Sequence, residues 1–269
     1  MTALISALLA AVPVAPPVPD AAPSLLPETT LPPAAMPTAL AAVLQDEEVM
    51  NRWTGNVGVG VNLTEGNAET LTANASADAQ YRREKDRFTI KFLWTYKSDK
   101  QATPSVQDRK TFLSGQYDYF ISDQTYLFGR LQGQADAAAA LDLRATAAAG
   151  AGRQFIENEE YRFRGEAGLS YIDENFEGTV NDNEYLAAAL SYSAGWVPNE
   201  KWDLAQDAFW YPSLEDSDQM TARVDTRAKY LMSESIFGQV QWIWDWTRTP
   251  TAGSGPSDHT ILLTLGWAF

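Results

Sequence analysis

The sequence predicts an all-β fold: a transmembrane, antiparallel, up-and-down β-barrel of about 12 strands. Three observations lead to this prediction. Apolar and polar residues alternate along most of the chain. The links between these alternating runs are alternately short and long, and the chain ends inside such a run. Side chains of a strand point alternately to its two faces, which gives this period of two. A barrel strand crosses a bilayer with about ten residues, so no long apolar stretch is required.

Twelve alternating runs follow one another from Trp53 to the end of the chain. In "RFTIKFLWTYK", for example, apolar and aromatic residues stand at every second position, with charged and hydroxyl residues between most of them. Each run is a predicted strand. The predicted strands are residues 53–64, 68–83, 86–98, 107–121, 124–135, 141–155, 161–173, 184–197, 202–212, 219–232, 236–248 and 259–269.

The links between the runs give an independent signal. Links such as "REKD" and "PNEK" are short, and those that follow the next run, such as "SDKQATPSVQ" and "TPTAGSGPSD", are mostly longer. The short link "EGN" after the first run is an exception. Short periplasmic turns and longer outer loops are typical of outer-membrane barrels. The sequence therefore predicts a location in the bacterial outer membrane, with both termini in the periplasm.

Trp and Tyr residues stand near the ends of the apolar stripes, which is typical of the aromatic girdles at membrane interfaces. A soluble β-sandwich also alternates and stays an alternative, which predicts a protein that needs no detergent. The predicted girdles contain Trp94, Tyr96, Tyr119, Tyr126, Tyr161, Tyr171, Trp196, Trp202, Trp210, Trp242, Trp244, Trp246, Trp267 and Phe269.

Composition excludes several functions. The chain has 269 residues, a formal net charge of −15 and no Cys. The acidic balance argues against nucleic acid as a partner, because phosphate contacts need clustered Lys and Arg. Without Cys there are no disulfides, thiolate metal ligands or Cys nucleophiles. We expect no cofactor and no metal site.

Acidic residues cluster in two predicted outer loops. Carboxylates suit divalent cations that bridge lipopolysaccharide phosphates, although a solvated acidic rim is the preferred interpretation. These residues are Asp173, Glu174, Glu177, Asp182 and Glu184 in one loop, and Glu215, Asp216 and Asp218 in the other.

The N-terminal region divides from the barrel by composition. Residues 1–20 have the length and apolar core of a signal peptide, although no basic residue precedes the apolar run, and an apolar disordered terminus is the alternative. Residues 21–50 form a Pro/Ala-rich linker in which residues 40–50 can form a short helix. The predicted barrel then occupies residues 51–269.

The polar face of the strands points into the predicted lumen and carries both signs of charge. The basic ladder contains Arg87, Lys91, Arg130, Arg144, Arg162, Arg164, Arg223, Arg227 and Lys229. Its acidic partners are Asp78, Asp118, Asp142, Glu166, Asp203, Asp207, Asp225 and Asp245. Opposite charges on neighbouring strands can form a closed network. Alternatively, the basic ladder attracts anions into a pore. Twelve strands leave a bore between a filled and an open barrel, so size does not decide.

One stretch carries a family resemblance. Residues 55–83, "GNVGVGVNLTEGNAETLTANASADAQYRR", resemble the salt-induced outer membrane protein family, also known as domain of unknown function 481. Residues 108–132 and 163–174 look like later blocks of that family. The resemblance implies an outer-membrane β-barrel over residues 50–269 in Gram-negative-type bacteria. It implies no substrate and no catalytic residue.

The first functional hypothesis is a passive channel for small polar or anionic solutes. The alternative is a structural or envelope-stress barrel with a charge-filled, closed lumen. We expect no enzyme; a lipid-modifying site at His259, near Ser257, is a remote third possibility. The expected partners are outer-membrane lipid and lipopolysaccharide. The alternating C-terminal run with its final Phe269 is also the kind of signal that the barrel-assembly machinery recognises.

Overall fold

The computed structural model is a closed barrel of twelve antiparallel strands. Strands that follow one another in sequence are neighbours in the barrel, and the last strand pairs with the first. The predicted signal peptide, 1–20, and linker, 21–50, lie outside the described residues. The structure describes residues 51–64, 70–99, 106–178, 182–250 and 255–269.

All twelve predicted strands are confirmed, and no boundary differs by more than three residues. The soluble sandwich is wrong, because a single sheet closes on itself instead of two sheets packing face to face. The strands are β1 (Trp53–Thr64), β2 (Thr70–Arg82), β3 (Asp86–Asp99), β4 (Val106–Phe120), β5 (Thr125–Asp136), β6 (Leu141–Glu157), β7 (Tyr161–Phe176), β8 (Asn183–Asn199), β9 (Trp202–Pro212), β10 (Met220–Leu231), β11 (Ile236–Thr247) and β12 (Ser257–Ala268).

The two faces of the sheet differ as a membrane barrel requires. On β12, Ile261 and Leu263 are 69% and 62% exposed on the outer face, whereas Leu262 and Thr264 on the inner face are 1% and 6% exposed. In hydrocarbon every backbone N–H and C=O must be paired, and a closed sheet with an apolar outer wall meets that condition. No helix in the described part of the chain is long and apolar enough to span a bilayer.

One end of the barrel, here called the terminal end, carries the start of β1, the end of β12 and the short turns. Most of these turns share one feature: a side-chain oxygen accepts backbone N–H groups two or three residues ahead. Asn158 accepts from Tyr161 N at 2.6 Å, and Asn199 accepts from Trp202 N at 3.2 Å. Ser233 does the same for Ile236 N at 3.1 Å. The opposite end, which carries the longer links, is called the loop end.

The aromatic residues form two rims on the outer wall. At the terminal end, Tyr161 stacks on Trp196 with ring centroids 6.4 Å apart. At the loop end, Trp94 stacks on Tyr96 at 6.3 Å. The terminal rim also contains Tyr119, Trp202, Trp267 and Phe269, and the loop rim contains Tyr171, Trp210, Trp244 and Trp246.

Two aromatic residues depart from the girdle prediction. Trp242 pairs with Thr226 halfway along β11, so it lies at mid-height and belongs to neither rim. Tyr126 points inward and is 0% exposed, and its hydroxyl donates to Glu166 Oε1 at 2.9 Å. Its position could have been found from alternation, since Tyr126 shares a strand face with Arg130, which is predicted to lie in the lumen.

The seam between β1 and β12 is the shortest join in the barrel. Its four register pairs run from Asn56–Ala268 to Val59–Leu265, whereas every other neighbouring pair of strands has at least eight. Beyond the seam, Asn74 of β2 donates to the Leu263 carbonyl at 3.2 Å. A Cβ on Gly60 would collide with that carbonyl, so glycine lets Asn74 reach past β1 to β12.

Candidate functional site

The inner face of the barrel brings the predicted charged residues together. Every residue of the predicted basic ladder and every predicted acidic partner except Asp142 faces the lumen. Asp142 is exposed, because a β-bulge between Leu141 and Leu143 shifts the pairing of β6 with β7 and interrupts the alternation. Placing Asp142 in the lumen was therefore wrong.

Between the terminal end and mid-height, buried ion pairs form a connected network on the inner face. Arg130 Nη1 lies 2.8 Å from Glu166 Oε2, and both side chains are less than 5% exposed. Arg87 Nε lies 2.6 Å from Asp118 Oδ2, whose side chain is 0% exposed. Gln116 joins the two pairs, since its Nε2 donates to Asp118 at 2.7 Å and to Glu166 at 2.8 Å. Gln116 was not predicted, although it shares a face with Asp118 on β4.

Side chains from opposite walls meet across the bore. Lys91 on β3 and Asp207 on β9 stand six strands apart in either direction around the barrel, yet Lys91 Nζ lies 2.6 Å from Asp207 Oδ2. Arg227 of β10 also pairs with Asp207. Likewise, the Arg223 guanidinium carbon on β10 lies 4.4 Å from the ring centroid of Phe112 on the opposite strand β4. These contacts form a constriction.

An apolar cluster narrows the same part of the bore. Leu93 of β3 packs with Ile243 of β11 and Leu262 of β12, and Phe112 packs against them. The side chains of Leu93, Ile243 and Leu262 all point inward and are at most 8% exposed. Period two could assign these residues to the inner face, but it could not show that they meet.

A cavity lies on each side of the constriction. The terminal vestibule has a volume of about 460 Å³ and the loop vestibule about 110 Å³. Between them lie two voids of about 20 Å³ each. A void of that size holds about one water molecule. The bore thus contains two vestibules, lined by charged residues, and between them a constriction with two water-sized voids.

The two vestibules differ in charge. Six basic and four acidic side chains line the terminal vestibule, whereas two basic and four acidic side chains line the loop vestibule. The terminal vestibule has Arg87, Lys91, Arg162, Arg164, Arg227 and Lys229, with Asp78, Glu157, Asp203 and Asp207. The loop vestibule has Arg144 and Arg223, with Asp136, Glu174, Asp245 and Asp258. The basic ladder is therefore concentrated at the terminal end.

The loop vestibule is closed in by ion pairs. Arg144 Nε lies 2.5 Å from Glu174 Oε1, and Arg223 Nη1 lies 2.8 Å from Asp245 Oδ1. Lys110 pairs with Asp136 at 3.0 Å and also with Asp258. Glu174 was predicted in an outer loop, but β7 continues to Phe176 and turns this carboxylate inward, where it is 5% exposed.

His259 and Ser257 lie on the outer side of β12. The imidazole of His259 stacks on Trp242 at 5.9 Å, and Ser257 Oγ accepts a hydrogen bond from Trp244 Nε1 at 3.0 Å. Across the described residues, no three His, Asp or Glu side chains are grouped so that they could hold a metal ion.

Residues 57–269 match the model of a protein family described as "Protein of unknown function, DUF481". The chain belongs to the DUF481 family. The resemblance found in the sequence is thereby confirmed, and the matched residues span the barrel from β1 to the C-terminus. The DUF481 chain is a closed β-barrel of twelve antiparallel strands with an apolar outer wall. Which end of this barrel faces the periplasm stays a prediction.

Several solved structures resemble the DUF481 barrel at low sequence identity. The COG4313 outer membrane channel from Pseudomonas putida F1 has a TM-score of 0.46 at 12% identity, covering 81% of this chain and 95% of that chain. The NanC porin has a TM-score of 0.45 at 7% identity, with coverages of 80% and 98%. The translocator domain of autotransporter NalP from Neisseria meningitidis has a TM-score of 0.42 at 10% identity, with coverages of 86% and 96%. No curated protein matches the chain.

Proposed function

We propose that this DUF481 barrel is a narrow, passive outer-membrane channel for small polar solutes and ions, with a preference for anions. One observation carries the proposal: two vestibules lined by charged residues lie on the same bore, on either side of a constriction of charged and apolar side chains. The surplus of basic side chains in the larger vestibule supports the preference for anions, because it raises the local concentration of negative solutes.

The chemistry of the constriction fits slow passage of small ions. Lys91 and Arg227 are long, flexible side chains that share the carboxylate of Asp207. A passing anion can replace that carboxylate at one cation while the other cation keeps it. Conduction of this kind requires several sites, none of which holds the ion too firmly. The neighbouring water-sized voids limit the channel to small solutes.

The second candidate is a structural or envelope-stress barrel whose lumen stays closed. The contacts between opposite walls favour it, because Lys91–Asp207 and Arg223–Phe112 leave no wide path between the vestibules. In both cases we propose a protein without enzymatic activity. The stacking of His259 on Trp242 supports this, since the imidazole lies on the outer wall and away from the polar lumen.

Orientation and partners are part of the same proposal. The short turns at the terminal end support a periplasmic position for that end. The apolar outer wall and its two aromatic rims support contact with outer-membrane lipid and lipopolysaccharide. The alternating β12, followed by Phe269, supports recognition by the barrel-assembly machinery.

Ion conductance in planar bilayers tests the proposal. The native barrel should give stable unitary steps, and the double variant Lys91→Ala/Asp207→Ala should give larger ones, because both partners of the contact across the bore are removed together. The matched control is Arg162→Ala/Asp203→Ala. It removes an ion pair of 2.9 Å that lies against one wall of the terminal vestibule, so the steps should stay near the native size. A folded native barrel that gives no steps would establish the closed lumen instead.

A further inference from the structure

We infer that the terminal vestibule contains a binding site for a small solute with two separate anionic groups, such as a dicarboxylate. The inference rests on the proposed function and deepens it by naming a solute class. The cavity of about 460 Å³ lies within the range of small-molecule sites. Two features support the site: the shape of the cavity floor, and two cations without a carboxylate of their own.

The floor of the cavity is a row of four residues on neighbouring strands. Arg162 of β7 pairs with Gly195 of β8. Gly195 pairs with Ala205 of β9, which pairs with Arg227 of β10. Two basic residues thus stand about 14 Å apart, three strand spacings, with almost no side-chain volume between them. A Cβ on Gly195 would lie 2.8 Å from Arg162 Nε, so glycine at this position makes room for the guanidinium.

Most cations of the vestibule are neutralised by a close carboxylate. Arg87 pairs with Asp118, Arg162 pairs with Asp203, and Lys91 shares Asp207 with Arg227. These pairs lie within hydrogen-bond distance, and they hold the walls in place. They leave little positive charge for a solute, so the remaining cations decide what the cavity binds.

Arg164 and Lys229 are the two exceptions. The single carboxylate in the described chain within ion-pair distance of Arg164 is Asp118, at 4.0 Å, and Arg87 already binds Asp118 at 2.6 Å. Lys229 has no carboxylate within that distance among the described residues. Its ammonium instead donates to Asn56 Oδ1 at 2.8 Å. These two cations are the least closely paired in the vestibule, which suits a solute with two negative groups.

The two cations stand at opposite corners of the floor. Arg164 lies two residues from Arg162 toward the loop end of the barrel, and Lys229 lies two residues from Arg227 toward the terminal end. A solute that reaches both must carry its anionic groups apart, which one carboxylate cannot do.

Isothermal titration calorimetry on the detergent-folded, full-length barrel tests the inference. The probes are succinate and malonate as dianions, and acetate as a monoanion, at equal ionic strength. Succinate or malonate should bind about tenfold more tightly than acetate, since the second carboxylate adds a second ion pair in a low-dielectric cavity. The better of the two dianions indicates which separation of the two carboxylates the site prefers.

The decisive variants are Arg164→Gln and Lys229→Gln, and their matched control is Arg144→Gln in the loop vestibule. Each of the first two should weaken dianion binding about tenfold and bring it close to that of acetate, because one charge pair is lost. Arg144→Gln should leave binding unchanged, because its ion pair with Glu174 lies beyond the constriction. Retained electrophoretic heat-modifiability shows that each variant is folded.

Equal affinity for acetate and the dianions would overturn the inference, and so would full dianion binding in the Arg164→Gln/Lys229→Gln double variant. Calorimetry needs no transmembrane current, so the outcome is separate from the conductance test. A barrel that binds dianions but gives no conductance steps would contradict the proposed channel and support the proposed binding site. A conducting barrel that does not bind them would keep the channel and overturn the site.

Discussion

The terminal and loop vestibules are built by the same strands, yet one encloses about 460 Å³ and the other about 110 Å³. The difference arises from the residues that face inward on β8 and β9. At the terminal end these include Gly195 and Ala205, whereas Phe209 and Tyr211 fill the loop end. Strand number thus sets the diameter of the barrel, but side-chain size decides where it is open.

The vestibules also differ in how their charges are used. In the loop vestibule, both lining arginines have a carboxylate partner at 2.8 Å or less, and carboxylates are in excess. In the terminal vestibule, two cations lack a carboxylate of their own. Ion pairs between lumen side chains stabilise the barrel wall, whereas cations without a close carboxylate can attract anionic solutes. Four substitutions can break or sharpen this comparison.

The largest expected effect is on stability. Asp118→Asn removes the charge that faces Arg87, and Arg87 is 3% exposed. Breaking a buried ion pair in this way costs about 3–5 kcal/mol. We expect a matching loss in the free energy of unfolding, measured in urea with lipid vesicles. The control is Asp245→Asn in the loop vestibule, where the carboxylate is 19% exposed and the loss should be about 1 kcal/mol. Equal losses would contradict the difference between the two ends.

The next effect is on ion selectivity. Lys229→Glu reverses an unpaired charge in the terminal vestibule, so the permeability ratio of chloride to potassium should fall about tenfold. Arg144→Glu makes the same change in the loop vestibule, which already has an excess of carboxylates, and should have a smaller effect. Reversal potentials under a salt gradient measure both ratios. A larger change for Arg144→Glu would show that the loop vestibule, and not the terminal vestibule, sets the selectivity.

A smaller effect is expected from filling the floor of the terminal vestibule. Ala205→Leu adds bulk to that floor and should lower unitary conductance by about a factor of two, because the polar cavity is narrowed. Ala208→Leu adds the same bulk to the outer wall, three residues further along β9. Single-channel recording should therefore show native steps for Ala208→Leu. Reduced steps in both variants would point to a general distortion of β9.

The smallest effect concerns the outer wall. Trp267→Ala removes a ring of the terminal rim that is 52% exposed, and we expect a loss of about 1 kcal/mol in lipid vesicles. Trp242→Ala removes a ring at mid-height, where lipid tails can replace its contacts, so the loss should be smaller. Urea titrations followed by the remaining Trp fluorescence compare the two. A larger loss for Trp242 would show that its stacking on His259 outweighs the rim position.

The sequence predicted those features that depend on local chemistry. Alternation predicted the two faces of each strand, and link lengths predicted which end carries the short turns, where Asn158 and Asn199 accept backbone N–H groups. Asp142 was misplaced because a bulge adds a residue and changes the side to which the strand points. Glu174 was misplaced because alternation alone does not show where a strand ends and its loop begins.

The residues that face the lumen could be predicted from the sequence, but the contacts between them could not. The contact of Lys91 with Asp207 depends on closure of the barrel and on the register of all strands between them. No pattern within β3 or β9 contains that information. For the same reason, the division of one basic ladder into two unequal vestibules became visible only in the structure.

The short seam gives the barrel a preferred line of fracture. Four register pairs join β1 to β12, where other neighbouring strands share at least eight. Under lateral tension in the membrane, β1 and β12 should separate first, leaving a curved sheet with two unpaired edge strands. Asn74 of β2 resists this separation, because its side-chain amide reaches past β1 and donates a hydrogen bond to the Leu263 carbonyl of β12. Any separation of neighbouring strands in this barrel, whether a local opening or full unfolding under force, should therefore begin between β1 and β12.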